Sequence, residues 1–246
     1  MLESRADDLA ADAEETLPGP SLERALRGTT VAVLAEVKRR SPSKGQIAEG
    51  LHAVALAQAY GDGGAAAVSI LTEPEHFGGS TADLVAVRDA IGIPSLKKDF
   101  HVTPIQLMEA RALGASAALL IARAVAPERL DELMRAGRAL GLELLVEVRD
   151  EEELERALAA GATMIGVNNR NLETLEIDPG TAERLIPRIP AALVAIAESG
   201  ITTRADVERY ATCGADAVLV GSALSAAGDP VAATRALVGV VRVTRG

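Results

Sequence analysis

Four Gly-Ala steps recur along the chain: Gly64-Ala65, Gly114-Ala115, Gly161-Ala162 and Gly214-Ala215, at intervals of 50, 47 and 53 residues. Each precedes an apolar run of strand length and reads as a glycine helix stop. A period of this size marks repeated supersecondary units, here four βαβα quarters. The strand candidates are Val31–Val37, Ala65–Leu71, Pro94–Lys97, Ala117–Ala122, Glu143–Glu147, Met164–Asn168, Leu193–Ala197 and Ala217–Gly221. Between them lie segments with apolar residues at helical spacing, such as Pro127 to Leu140 and Glu151 to Ala160, the latter with Asp150 as its N-cap. Eight strands alternating with eight helices in about 215 residues is the α/β pattern of a single (β/α)8 TIM barrel. An open doubly wound sheet is the rival, but no G-x-G-x-x-G follows the first strand.

Residues 31–246 form the barrel in this reading. Residues 1–30 are a short N-terminal lead-in, polar and partly helical, broken at Leu17-Pro18-Gly19-Pro20. That start is acidic, which is wrong for a signal peptide, and no apolar stretch reaches the ~18 residues of a membrane span. The single cysteine, Cys213, excludes an intramolecular disulfide and fits a cytoplasmic protein. A net charge of −10 argues against nucleic acid as a partner.

Lysine is scarce and clustered. Of 25 basic residues only Lys38, Lys44, Lys97 and Lys98 are lysines, and they fall in two short stretches. Arginine does not give up its proton near neutral pH, whereas a lysine does once burial or a nearby positive charge lowers its pKa. Lys38 lies two residues after Glu36, so both point to one face of the first strand. A structural ion pair explains an isolated E-x-K equally well.

A barrel does its chemistry at the C-terminal ends of its strands. Seven of the eight candidate strands end in polar groups there: Glu36 and Lys38; Thr72-Glu73; Lys97-Lys98-Asp99; Glu147; Asn168-Asn169-Arg170; Glu198-Ser199-Gly200; and Gly221-Ser222. Ser199-Gly200 and Gly221-Ser222 follow strands seven and eight, where barrels bind phosphate on glycine backbone and helix N-termini, although two ordinary tight turns have the same composition. Phe77 and Phe100 fall in loops, placed to hold a flat ring. These positions point to a phosphorylated small molecule and proton transfer.

The segments Ala35-Glu36-Val37-Lys38-Arg39-Arg40-Ser41-Pro42-Ser43-Lys44-Gly45, Phe77-Gly78-Gly79-Ser80, Lys98-Asp99-Phe100, Gly166-Val167-Asn168-Asn169-Arg170, Ala197-Glu198-Ser199-Gly200 and Leu219-Val220-Gly221-Ser222 occur in an order that resembles the indole-3-glycerol phosphate synthase family. The resemblance implies conversion of 1-(2-carboxyphenylamino)-1-deoxyribulose 5-phosphate to indole-3-glycerol phosphate, with loss of CO2 and water and with no cofactor or metal. It implies a lyase of tryptophan biosynthesis, monomeric as a stand-alone chain. It further implies Lys98 as general acid, Glu147 as a group assisting around the developing hydroxyl, and Lys38 with Glu36 serving carboxylate binding and dehydration. Asn168, Arg170, Glu198 and Ser199 would orient the substrate, Phe77, Phe100, Leu119 and Leu172 would line the aromatic pocket, and Ser41, Gly200, Gly221 and Ser222 would take the phosphate. Asn169 and Asn171 carry no role by resemblance, and His52, His76 and His101 read as surface or loop residues. The lead-in is shorter than the family's, which bears on closure over the phosphate side.

Two rivals remain. Other phosphosugar isomerase barrels call for a Cys/Asp pair or two Asp residues at strand ends, and no Asp ends strand seven. A catalytically silent phosphometabolite-binding barrel would have no use for Lys98.

Overall fold

The computed structural model describes residues 5–41, 45–46 and 52–246. Eight parallel strands close on themselves: β1 (Ala32–Val37), β2 (Ala67–Leu71), β3 (Ser95–Lys98), β4 (Ala117–Ile121), β5 (Glu143–Val148), β6 (Met164–Asn168), β7 (Val194–Glu198) and β8 (Ala217–Val220). Closure comes from β1, which pairs with β2 on one side and β8 on the other. A two-residue antiparallel ladder of Arg40–Ser41 with Gly45–Gln46 stands apart from the barrel.

The quarter repeat has a backbone cause. Gly64, Gly114, Gly161 and Gly214 have φ of 95°, 75°, 76° and 87°, each just beyond a helix and before an even-numbered strand. Only glycine enters this left-handed region at no steric cost, so it ends the helix and turns the chain back toward the barrel. Asp150 caps the helix Glu151–Ala159 as expected, accepting the Glu153 N–H at 2.9 Å.

Strands buried on both faces need two apolar surfaces, and alternation supplies them. Leu34, Leu96, Leu119, Leu145, Met164 and Ile196 fill the lumen. Val33, Val68, Ala118, Val146, Ile165 and Val218 face the surrounding helices. The lead-in completes the lumen from below. Leu22 and Leu26, both fully buried, pack with the lumen residues, at the end of the barrel away from the strand C-termini. Ser21 caps the short helix Leu22–Ala25 and donates to Glu143 Oε1 at 2.6 Å, which ties it to the first residue of β5. The helix Ala6–Glu15 packs on Pro104–Ala112. Among the described residues no helix is long and apolar enough to cross a membrane.

Candidate active site

The C-terminal ends of the strands surround a cavity of about 540 Å³. Glu36, Lys38, Lys98, Glu147, Asn168, Ser199, Phe77, Phe100, Leu119, Arg170, Leu172 and Ser222 all line it. Glu198 lies just behind, fully buried, with Oε2 3.3 Å from Lys98 Nζ. Gly200 and Gly221 are not lining residues; each is chain-adjacent to one, Ser199 or Ser222. The Ser41 side chain, and all of Pro42, Ser43 and Lys44, lie outside the described residues.

The centre of the site is an ammonium among carboxyls. Lys98 Nζ lies 3.3 Å from Glu36 Oε2 and 3.3 Å from Glu198 Oε2. Lys38 Nζ pairs with the other Glu36 oxygen at 2.5 Å. Burial pulls the Lys98 pKa down, but the carboxyls of Glu36, Glu198 and Glu147 outweigh it and raise it above the ordinary lysine value. The expectation of a lysine with a lowered pKa is therefore reversed. Lys97, the neighbouring positive charge, points out of the lumen, so it offers no counterweight.

The carboxyls are driven apart. Burial raises the Glu36 pKa, yet the adjacent ammoniums of Lys38 and Lys98 bring it down to about 2. Glu198 is pushed up to about 8, first by burial and then, against the pull of Lys98, by Glu147 and Glu36. Two carboxyls in one lumen thus differ in protonation near neutrality, which is how one site carries both acid and base chemistry. Asn168 Nδ2 donates to Glu147 Oε1 at 2.9 Å, which fixes that carboxyl, and its own oxygen accepts the Arg170 N–H at 2.9 Å.

Shape supports these positions. Ser225 Oγ donates to the Glu36 carbonyl at 3.0 Å and accepts the Lys38 N–H at 3.2 Å, pinning the end of β1 from the last quarter of the chain. A Cβ at Gly221 would stand 2.5 Å from Glu36 Oε1, so this glycine also leaves room for a carboxylate. Phe77 and Phe100 approach with ring centroids 6.3 Å apart and form one wall. Phe77 ends the short helix Pro74–Phe77, whose N-terminus is capped by Glu73 accepting from the Glu75, His76 and Phe77 N–H groups. Glu73, Glu75 and His76 also stand close enough to share a metal ion, but capping already uses both oxygens of Glu73.

Sequence reasoning missed three groups. Asn169 is fully buried: Nδ2 donates to the Ser199 carbonyl (3.0 Å) and to the Tyr210 hydroxyl (2.9 Å), and Oδ1 accepts the Ala182 N–H (3.0 Å). Ser199, with φ of 67°, is thereby held in a backbone region that few non-glycine residues adopt. His101 is buried, not a surface residue: Nδ1 meets the Leu119 carbonyl at 2.8 Å. Burial and then Lys97 push its pKa down to about 4. Lys97 itself is buried with Asp99, Glu109 and His101 at 3.1, 3.2 and 3.3 Å, one partner for each ammonium hydrogen. The two-residue spacing of Lys97, Asp99 and His101 places them on one face of an extended segment, but Glu109 comes from the following helix and has no local signal.

A closed (β/α)8 barrel with titratable groups converging at its strand C-termini defines a barrel enzyme. The family model for indole-3-glycerol phosphate synthase matches residues 2–237. The chain is 51% identical to indole-3-glycerol phosphate synthase 1 of Streptomyces coelicolor, over 94% of this chain and 86% of that one. It is 48% identical to the Mycolicibacterium smegmatis indole-3-glycerol phosphate synthase, over 94% and 85%. The chain belongs to the indole-3-glycerol phosphate synthase family. Among solved structures, a 3-hexulose-6-phosphate synthase from Salmonella typhimurium shares the fold at a TM-score of 0.67 and 16% identity, covering 84% of this chain and 96% of that one.

Proposed function

We infer that the chain closes the indole ring, converting 1-(2-carboxyphenylamino)-1-deoxyribulose 5-phosphate to indole-3-glycerol phosphate with loss of CO2 and water. Family membership carries the reaction. The observation that best supports the assignment of roles is the Lys98 ammonium set between Glu36 and Glu198 beside a cavity walled by Phe77 and Phe100.

The substrate's flat ring lies along the two phenylalanines and Leu119 and Leu172, and its carboxylate meets Lys38. The phosphate is taken at Ser199-Gly200 and Gly221-Ser222, with Ser41 contributing. Holding the arylamine against the ribulose carbonyl converts ring closure into an intramolecular event, a large part of the acceleration. As the aromatic carbon attacks, the carbonyl oxygen gains alkoxide character and takes the proton of Lys98. Its raised pKa keeps Lys98 loaded at neutral pH, and a developing alkoxide is basic enough to accept. Glu147, oriented by Asn168, assists around the new hydroxyl, and Glu36 with Lys38 serves the dehydration. Arg170 orients the substrate, and Glu198 exchanges protons with Lys98. Such positioned acid–base groups contribute about 10²–10⁴-fold each. The protein works as a cytoplasmic monomer in this reading, which the lone, partly buried Cys213 thiol fits.

Lys98→Ala tests the assignment. It is expected to keep the fold and substrate binding while turnover falls by at least about 10²-fold. Wild-type-like turnover in that variant would remove Lys98 as the acid.

A further inference from the structure

Gly166 lies in β6, in register with Glu147 of β5 and Ile196 of β7. Residues two apart on a strand share a face, so Gly166 sits on the lumen face between Met164 and Asn168. Barrel lumens are normally filled by bulky branched side chains, and glycine inside a strand weakens it. A glycine here needs a reason, and its backbone gives none, since its φ is not in the left-handed region.

The reason lies across the lumen. A Cβ at position 166 would stand 1.9 Å from Glu198 Oε1 and 3.0 Å from Glu198 Cδ. The next nearest atom, Leu145 Cδ1, would be in ordinary contact at 3.4 Å. Among the described residues the only serious conflict is with the carboxyl end of Glu198. That Oε1 is buried without a hydrogen-bond partner among the described residues, while Oε2 reaches Lys98 at 3.3 Å. A methyl at 166 would overlap the place the carboxyl occupies.

We propose that Gly166 is a positioning residue for the ring closure: its missing side chain is the room that seats the Glu198 carboxyl against Lys98. The proposal rests on the reading of Lys98 and Glu198 as proton-transfer groups. A methyl at 166 meets the far end of a flexible side chain, so Glu198 swings away while the strand stays in place.

The test compares Gly166→Ala, Glu198→Ala and the double variant by steady-state kinetics. Gly166→Ala is expected to lose at least about tenfold in kcat, with KM within about threefold and the unfolding midpoint little changed. Added to Glu198→Ala, the same methyl is expected to change kcat by less than about twofold, because no carboxyl remains to be displaced. Wild-type kcat in Gly166→Ala overturns the proposal, and so does an equal loss in both backgrounds, which would mean general damage to the lumen. A crystal structure of Gly166→Ala decides without turnover: the expected result is Glu198 rotated out of reach of Lys98, and an unmoved carboxyl overturns the proposal. Absence of turnover in the wild-type protein would instead overturn the proton-transfer reading on which it depends.

Discussion

Two lumen carboxyls of the same chemistry are set far apart by their neighbours. Glu36 and Glu198 are both almost fully buried, yet one is pulled down to about 2 and the other pushed up to about 8. The difference is company: Glu36 faces two ammoniums, Glu198 one ammonium and two further carboxyls. A pH signature follows with a definite sign. A folded-state pKa raised from about 4.5 to about 8 adds stability that is fully present below pH 4.5 and lost as pH rises toward 8. Denaturant midpoints measured across that window are expected to fall in wild type relative to Glu198→Gln, which cannot titrate. Parallel curves would show that Glu198 titrates at its ordinary value. The residue types at the strand ends were legible in the sequence. Their protonation was not, because it depends on distances between strands that are far apart in the chain.

At the scale of elements, the turn after β7 depends on the turn after β6. The Asn169 side chain reaches the Ser199 carbonyl, the Tyr210 hydroxyl and the Ala182 N–H together. Truncation to alanine leaves buried polar groups unpaired, at a cost of about 1–3 kcal/mol each. Asn169→Ala is therefore expected to lower unfolding stability by about 2–3 kcal/mol, read from the urea midpoint, and to raise KM by loosening the Ser199-Gly200 turn. A change under about 0.5 kcal/mol, typical of a surface site, would contradict this account of the turn. The element order was legible because each quarter ends its glycine-stopped helix in the same way, and β6 runs over the expected residues, Met164–Asn168. Other strand ends moved by one or two residues, as with β3, which runs Ser95–Lys98 and so includes Lys98 in the strand. The importance of Asn169 was hidden because an asparagine next to Asn168 has no local mark of the three partners it meets only after folding.

At the scale of the whole molecule, the two ends of the barrel have separate tasks. The strand C-termini carry the cavity and its charged groups, and the opposite end is closed by apolar packing of Leu22 and Leu26 from the lead-in. The lead-in was legible as partly helical, but its place beneath the barrel was not, since a four-residue helix carries no long periodic signal. The division of labour leaves the cavity at the strand C-termini to the substrate while Glu36 and Glu198 beneath it are almost fully buried, which strengthens the electrostatic interactions around Lys98. The central claim concerns what the assembled protein does. The most direct measurement is a fluorescence time course of the wild-type protein with 1-(2-carboxyphenylamino)-1-deoxyribulose 5-phosphate. The chain has no tryptophan, so indole emission arises from product alone. Emission growing with time in proportion to enzyme is the predicted result. Substrate that binds and gives no indole emission would contradict the account.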